Sequence, residues 1–229
     1  MAKARLLASA ITLTPALLLA GTPSAQASPV PSSATAATAT TTTAATVTTL
    51  TQTATPVAAA TTKKLTLITQ EQSKNYYCAP AAVRAVISTW RKSLPSQNTL
   101  AGYMHTKAPN GTSSDWIPIG LNRAISPRLD ERYQNFHPNN AGFVWNEVTY
   151  NIATKKHALI ARVLVGAKPW SHSSNKKGHF MVIYGYTTSG GKKLFWWDPA
   201  DNSRHTASLS ASWTAILKGN KYLTGLPKS

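Results

Sequence analysis

From Lys63 onward the apolar positions of this chain fall into two regimes. In the first they recur at helical spacing. Val83, Val86, Ile87 and Trp90 stand at i, i+3, i+4 and i+7, which predicts a helix over Cys78–Arg91. Pro80 suits its first turn, where a missing N–H costs nothing. Thr99–His105 and Trp116–Ile125 read as two more helices, the second following the capping residues of Gly111–Trp116. Phe143, Val144, Val148 and Ile152 predict another over Gly142–Lys155. In the second regime β-branched and aromatic residues crowd into short runs. His157–Val165, His179–Tyr186 and Lys193–Asp198 predict strands, the last two joined by a hairpin loop at Thr187–Lys192. An edge strand at Lys64–Ile68, a strand at Tyr133–Phe136, a helix over Ser208–Lys218 and a final strand at Lys221–Leu223 complete the reading. Helices first and strands later predict an α+β domain, with N-terminal helices packed on a C-terminal antiparallel sheet.

The residues before Lys63 follow neither pattern. Met1–Ala27 reads as a secretory signal peptide: Lys3 and Arg5, an apolar run from Leu6 to Ala20, then the small-residue site Ala25-Gln26-Ala27. The run is short and broken by Pro15, and no later stretch is long and apolar enough to span a membrane. Residues 28–62, nearly all Thr, Ala, Pro, Ser and Val, bury too little to offset chain entropy and read as a disordered linker. Residues 63–229 are then one domain, expected as a monomer.

Composition narrows the setting. The formal net charge is +17, which favours anionic neighbours such as a cell-wall or other surface polymer. The Lys and Arg are scattered rather than clustered, and export also argues against nucleic acid. The expected location is extracellular, with cell-wall association as one form of it. A lone cysteine leaves no internal disulfide. An unpaired thiol in an exported protein is either buried and inert or kept for chemistry.

That thiol, Cys78, falls at a helix N-terminus, where the dipole favours an anion and hence the nucleophilic thiolate. A nucleophile of this kind needs a base and a group that orients the base. His179 follows Gly178, opens the most apolar strand and shares a face with Met181 and Ile183. His172 and His205 stand as alternatives. Asp198 ends the next strand. A turn centred between Thr188 and Ser189 sets residues 179 and 198 directly opposite, where a carboxylate accepts the imidazole Nδ1–H. Asp201 is a rival, and an Asp before Pro is also a common turn residue. The oxyanion of an acyl-transfer intermediate needs donors: the Cys78 backbone N–H, and the side-chain amide of Gln72, with Gln70 a competitor. No Cys/His cluster stands at metal-ligand spacing, and no cofactor is expected.

The runs Gln72-x5-Cys78-Ala79-Pro80-Ala81-Ala82, Gly178-His179 through Gly185-Tyr186, and Trp197-Asp198-Pro199 resemble family thirty-nine of the cysteine peptidases, papain-like enzymes named for bacteriocin-leader processing. The resemblance is to secreted, stand-alone actinobacterial members and covers most of 63–229. It implies a papain-like fold and a Cys–His–Asp triad that hydrolyses peptide bonds through a thioester. By motif position Cys78 is the nucleophile, His179 the base and then acid, Asp198 its orienter and Gln72 an oxyanion donor. Ala79 departs from the family, which usually has Gly after the cysteine. Two other readings stand beside a peptidase: a non-catalytic binding module on the same fold, and a cell-wall peptide amidase or transpeptidase. The cell-wall signature Asp-Cys-Ser-Gly is absent. Lys168–Lys177 is expected to form a substrate-facing rim.

Overall fold

A computed structural model describes residues 59–126 and 131–228. The expected signal peptide and residues 28–58 of the expected linker lie outside the described residues. The first strand, β1 (Thr62–Lys64), begins at the last residue of that expected linker and upstream of the strand foreseen at Lys64–Ile68. Leu65 still donates its N–H to the Tyr184 carbonyl at 2.8 Å before the chain leaves the sheet.

Helix α1 (Cys78–Ile87) buries eight of its ten residues. Its run of alanines lets it lie close against neighbours on several sides, and α2 (Gln97–Tyr103) and α3 (Trp116–Ile125) pack beside it. It stops short of the expected Arg91. The Ser88 hydroxyl donates to the Ala85 carbonyl and the Thr89 hydroxyl to that of Val86, so side chains take up carbonyls that a longer helix would use. Ser96 caps α2 by accepting from the Thr99 N–H, and Asn140 caps α4 (Ala141–Thr149) by accepting from that of Phe143. The helix expected over Gly142–Lys155 changes geometry midway: Tyr150–Lys155 is a π-helical turn. Its Asn151, fully buried, donates to the Glu147 and Leu226 carbonyls and accepts the Leu226 N–H, which pins the C-terminal segment. Helix α5 (Leu209–Lys218) is capped by Ser208.

The main sheet is antiparallel, in the order β2 (Gln134–Phe136), β9 (Leu223–Gly225), β3 (Leu159–Leu164), β6 (Gly178–Thr187), β7 (Lys193–Asp198), β8 (Ser203–Ser208), with β1 added along β6. A separate pair, β4 (Ala167–Lys168) and β5 (Ser171–His172), forms a small hairpin. The final strand starts at Leu223 rather than Lys221, because Asn220 and Lys221 take left-handed turn conformations. On one face Val83, Val86, Leu100, Ile117 and Leu121 of the first three helices bury Phe180, Val182 and Trp197. On the other, Val144 and Val148 of α4 and Ile216 of α5 bury Met181, Ile183 and Trp196. The domain is α+β as expected, with the later helices covering the sheet's second face. Both indoles of β7 are fully buried with their N–H groups satisfied, Trp196 on Ser212 and Trp197 on Asn202. Each removes apolar surface worth about 4 kcal/mol, and together they fix where β7 ends.

One irregularity sets the geometry of the site. β6 and β7 pair Gly185 with Phe195 near the turn but Ile183 with Trp196 beyond it, so Tyr184 is an extra residue in the ladder. On the opposite edge of β6 the Tyr184 carbonyl accepts from Leu65. Gly185 sits beneath β1, and a Cβ there would lie 2.5 Å from the Lys63 carbonyl oxygen.

Candidate active site

Cys78 is the first residue of α1 and is half-buried. Tyr77, the N-cap, offers no side-chain acceptor, and Pro80 has no N–H to satisfy. The first-turn N–H groups of Cys78 and Ala79 therefore have no acceptor within the helix. Ala79, where the resembled family usually has Gly, is fully buried in the core formed with α2 and α3.

His179 lies near the start of β6 and is 5% exposed. Its Nε2 is 2.6 Å from Oδ1 of Asp198, the last residue of β7. This brings together the predicted base and carboxylate but corrects two expectations. The register runs Val182 opposite Trp197, so continuing the ladder sets Asp198 across from Met181 and makes His179 its diagonal neighbour. A turn placed later than assumed causes the shift, and the bulge at Tyr184 takes back one residue of it, which keeps His179 and Asp198 on one face, where diagonal neighbours remain within reach of long side chains. The carboxylate meets Nε2, not Nδ1, which leaves Nδ1 as the nitrogen free to serve the sulfur.

Electrostatics binds the three groups. Burial alone would lower the His179 pKa, but the hydrogen bond to Asp198 and then the Cys78 side chain outweigh it and push it up to about 9. Burial would likewise raise Asp198, which is fully buried. The His179 ring, the Lys168 ammonium and the Ala200 N–H instead hold its carboxyl well below the usual range. The Ala200 N–H donates to Oδ1 at 2.9 Å, so Asp198 orients the ring and shapes the following turn at once.

Gln72 is tied to the same corner, its backbone N–H donating to the Pro199 carbonyl at 2.8 Å. Its Nε2 donates to the Lys74 carbonyl at 3.1 Å, which occupies one of two amide hydrogens. Its Oε1 is buried without a partner. Gln70 is exposed and lines a cavity of 370 Å³ with Ser73, Arg84, Leu94 and Gln97. His205 stacks on Trp170 at 3.9 Å and hydrogen-bonds Ser203, while His172 is exposed on β5. Asp201 accepts from the Ser203 N–H and hydroxyl and is a turn residue. The residue that sequence reasoning missed is Lys168, expected only as the start of a rim: its Nζ lies 2.5 Å from Asp198 Oδ2. Among the described residues no group of three or more His, Cys, Asp or Glu is placed to hold a metal ion, and no helix is long and apolar enough to cross a membrane.

The family model described as Peptidase_C39 like family matches residues 62–221. The chain overlays a C39-like peptidase from Bacillus anthracis with a TM-score of 0.54 at 8% identity, over 74% of this chain and 98% of that one. The peptidase domain of Streptococcus ComA, a bi-functional ABC transporter of a quorum-sensing pathway, overlays with a TM-score of 0.48 at 17% identity, over 71% and 98%. The proform of the ragweed pollen allergen Amb a 11, a cysteine protease, gives 0.49 at 12% identity, over 73% and 65%. No curated protein matches the chain.

Proposed function

This chain belongs to the C39-like peptidase family, and from that premise we propose that it is an exported cysteine peptidase working through Cys78, His179, Asp198 and Gln72. The observation that carries the reading is the buried 2.6 Å contact of His179 with Asp198, on a ring whose proton affinity the Cys78 side chain also raises. The Cys78 thiolate attacks a peptide carbonyl carbon. Charge developing on the carbonyl oxygen is met by the Cys78 backbone N–H and the second amide hydrogen of Gln72. His179 gives its Nδ1 proton to the leaving amine, and a thioester remains on Cys78. Water then attacks the thioester carbonyl, with Nδ1 as the base that takes its proton. The sulfur leaves and the carboxylic acid is released. Asp198 stays ionised throughout and holds the Nε2–H.

The leader-like start at Lys3 and Arg5 supports export, and the cationic composition supports attachment to an anionic cell-wall or surface polymer. The test is Cys78→Ala beside wild type on a general peptide substrate. Loss of turnover is expected from the variant, and equal turnover by both proteins defeats the reading.

A further inference from the structure

Asp198 is fully buried and presents two oxygens to the site. Oδ1 is shared between His179 Nε2 and the Ala200 N–H. Oδ2 has no hydrogen-bond partner of its own and faces the Lys168 ammonium at 2.5 Å. An ionised oxygen left bare in such a place is strongly disfavoured. Lys168 is the group that answers it, and its side chain is only 15% exposed. A lysine on a two-residue strand would ordinarily run its ammonium out to water. This one turns inward and gives up hydration to do so.

The element that carries it is fastened in place. The β4–β5 hairpin is not part of the main sheet. Trp170, at its tip, stacks flat on His205 of β8 and edge-on to Trp196 of β7. The aromatic clasp fixes the hairpin against the strand that ends in Asp198. The charges then alternate along one line of contacts: Lys168 positive, Asp198 negative, His179 positive as imidazolium. Without Lys168 the imidazolium is left, among the described residues, as the one side-chain cation in contact with the buried carboxylate.

We propose that Lys168 is a positioning residue of this site, answering Oδ2 with a positive charge so that the hold of Asp198 on the His179 proton is moderated. Its catalytic meaning rests on the peptidase reading, but its effect on the ring does not. The other charged groups near the ring lie apart from this row. Arg162 of β3 packs on Gly178 and donates to the Gly219 carbonyl, Lys176 and Lys177 are exposed, and Lys218 of α5 lines the small cavity beside the hairpin.

The experiment follows the His179 ring by NMR in histidine-labelled protein as pH rises, with His179→Gln used to assign the signal. Lys168→Met, which removes the cation and keeps the stem, is expected to raise the midpoint by about one pH unit, because a neighbouring positive charge no longer opposes the imidazolium. It is also expected to lower kcat on peptide about tenfold with KM little changed. Lys168→Arg restores the wild-type midpoint. If the Met variant does not fold, Lys168→Gln supplies the neutral side chain for the same titration. A midpoint unchanged or lowered in the neutral variant overturns the proposal whatever the turnover. Absence of peptide turnover in wild type, with the shift still present, defeats the peptidase reading and leaves the electrostatic role standing.

Discussion

The backbone N–H of Gln72 donates to the carbonyl of Pro199 over 2.8 Å. The loop leading into Cys78 is thereby fastened to the corner that follows Asp198, so the sulfur and the carboxylate are referenced to one another without passing through the histidine. Because that link is a backbone bond, the Gln72 side chain can be changed without releasing the loop. Gln72→Ala is expected to lower kcat by about 10²–10³. KM and thermal stability should stay near wild type. Steady-state kinetics with a melting curve checks this, and a loss confined to KM would assign Gln72 to substrate binding instead.

Asp198 carries both charge and shape, and two substitutions separate them. Asp198→Asn keeps an acceptor for the Nε2–H but loses the charge, whereas Asp198→Ala loses both. The expected order of kcat is wild type, then Asn, then Ala. Either change leaves the largely buried Lys168 ammonium without its counter-charge and is expected to cost about 3 kcal/mol of stability in urea unfolding. Equal kcat for the two variants would mean that orientation of the ring contributes nothing beyond charge.

The pH dependence follows from the two pairs of values. His179 is raised from 6.5 to about 9 in the folded chain, chiefly against burial by its bond to Asp198. Its contribution to stability is full below about 6.5 and is lost as pH rises through about 9. Asp198 is lowered from 3.8, so its contribution is present above that value and is lost as pH falls through the folded one. The melting temperature of wild type should therefore decline from neutral pH to beyond 9. His179→Gln should lack that part of the decline. In turnover, kcat/KM should fall on the alkaline side with a midpoint near 9 as the imidazolium is lost. An alkaline midpoint near 6.5 would show that the ring is not so held.

Gly185 lies where β1 crosses the bulge, 2.5 Å from the Lys63 carbonyl oxygen and 3.0 Å from the Lys64 Cα for an added Cβ. Both are backbone atoms and cannot swing aside. Gly185→Ala is expected to lift β1 from β6 at a cost of about 2 kcal/mol. The Leu65 amide, bonded to Tyr184 in wild type, should then exchange with deuterium faster than the amides of β3. Unchanged protection at Leu65 would show that β1 adapts without moving off.

The parts of this fold that the sequence announces are those where burial is one-sided and periodic. Val83, Val86 and Ile87 disclose α1, and the apolar runs of β3, β6 and β7 disclose the middle of the sheet. β8 escapes because it is an edge strand of Ser203-Arg204-His205-Thr206-Ala207-Ser208, in which only Ala207 is buried. Gly178-His179 and Asp198-Pro199 stand out as motifs, so the candidate base and carboxylate could be named before they were seen together. Their pairing falls two residues from the expected register because the turn centres near Gly190 rather than between Thr188 and Ser189, and nothing in the composition of Thr187–Lys192 marks that centre. The choice of ring nitrogen depends on side-chain torsions that no periodicity encodes. Lys168 was beyond reach for a similar reason: a surface-type residue on a two-residue strand gives no sign of turning inward to a carboxylate on another element.

β6 has different partners along its length: β3 pairs with Gly178–Ile183 and β1 with Gly185–Thr187. Tension arriving from residues upstream of Thr62 thus enters the sheet at the end of β6 remote from His179. It strains the hydrogen bonds between Thr61 and Thr188 first, then the Thr62–Thr187 hydroxyl contact and the three β1 pairs. The half that carries the imidazole is gripped by another ladder, so a pull on β1 reaches His179 only after β1 has come away.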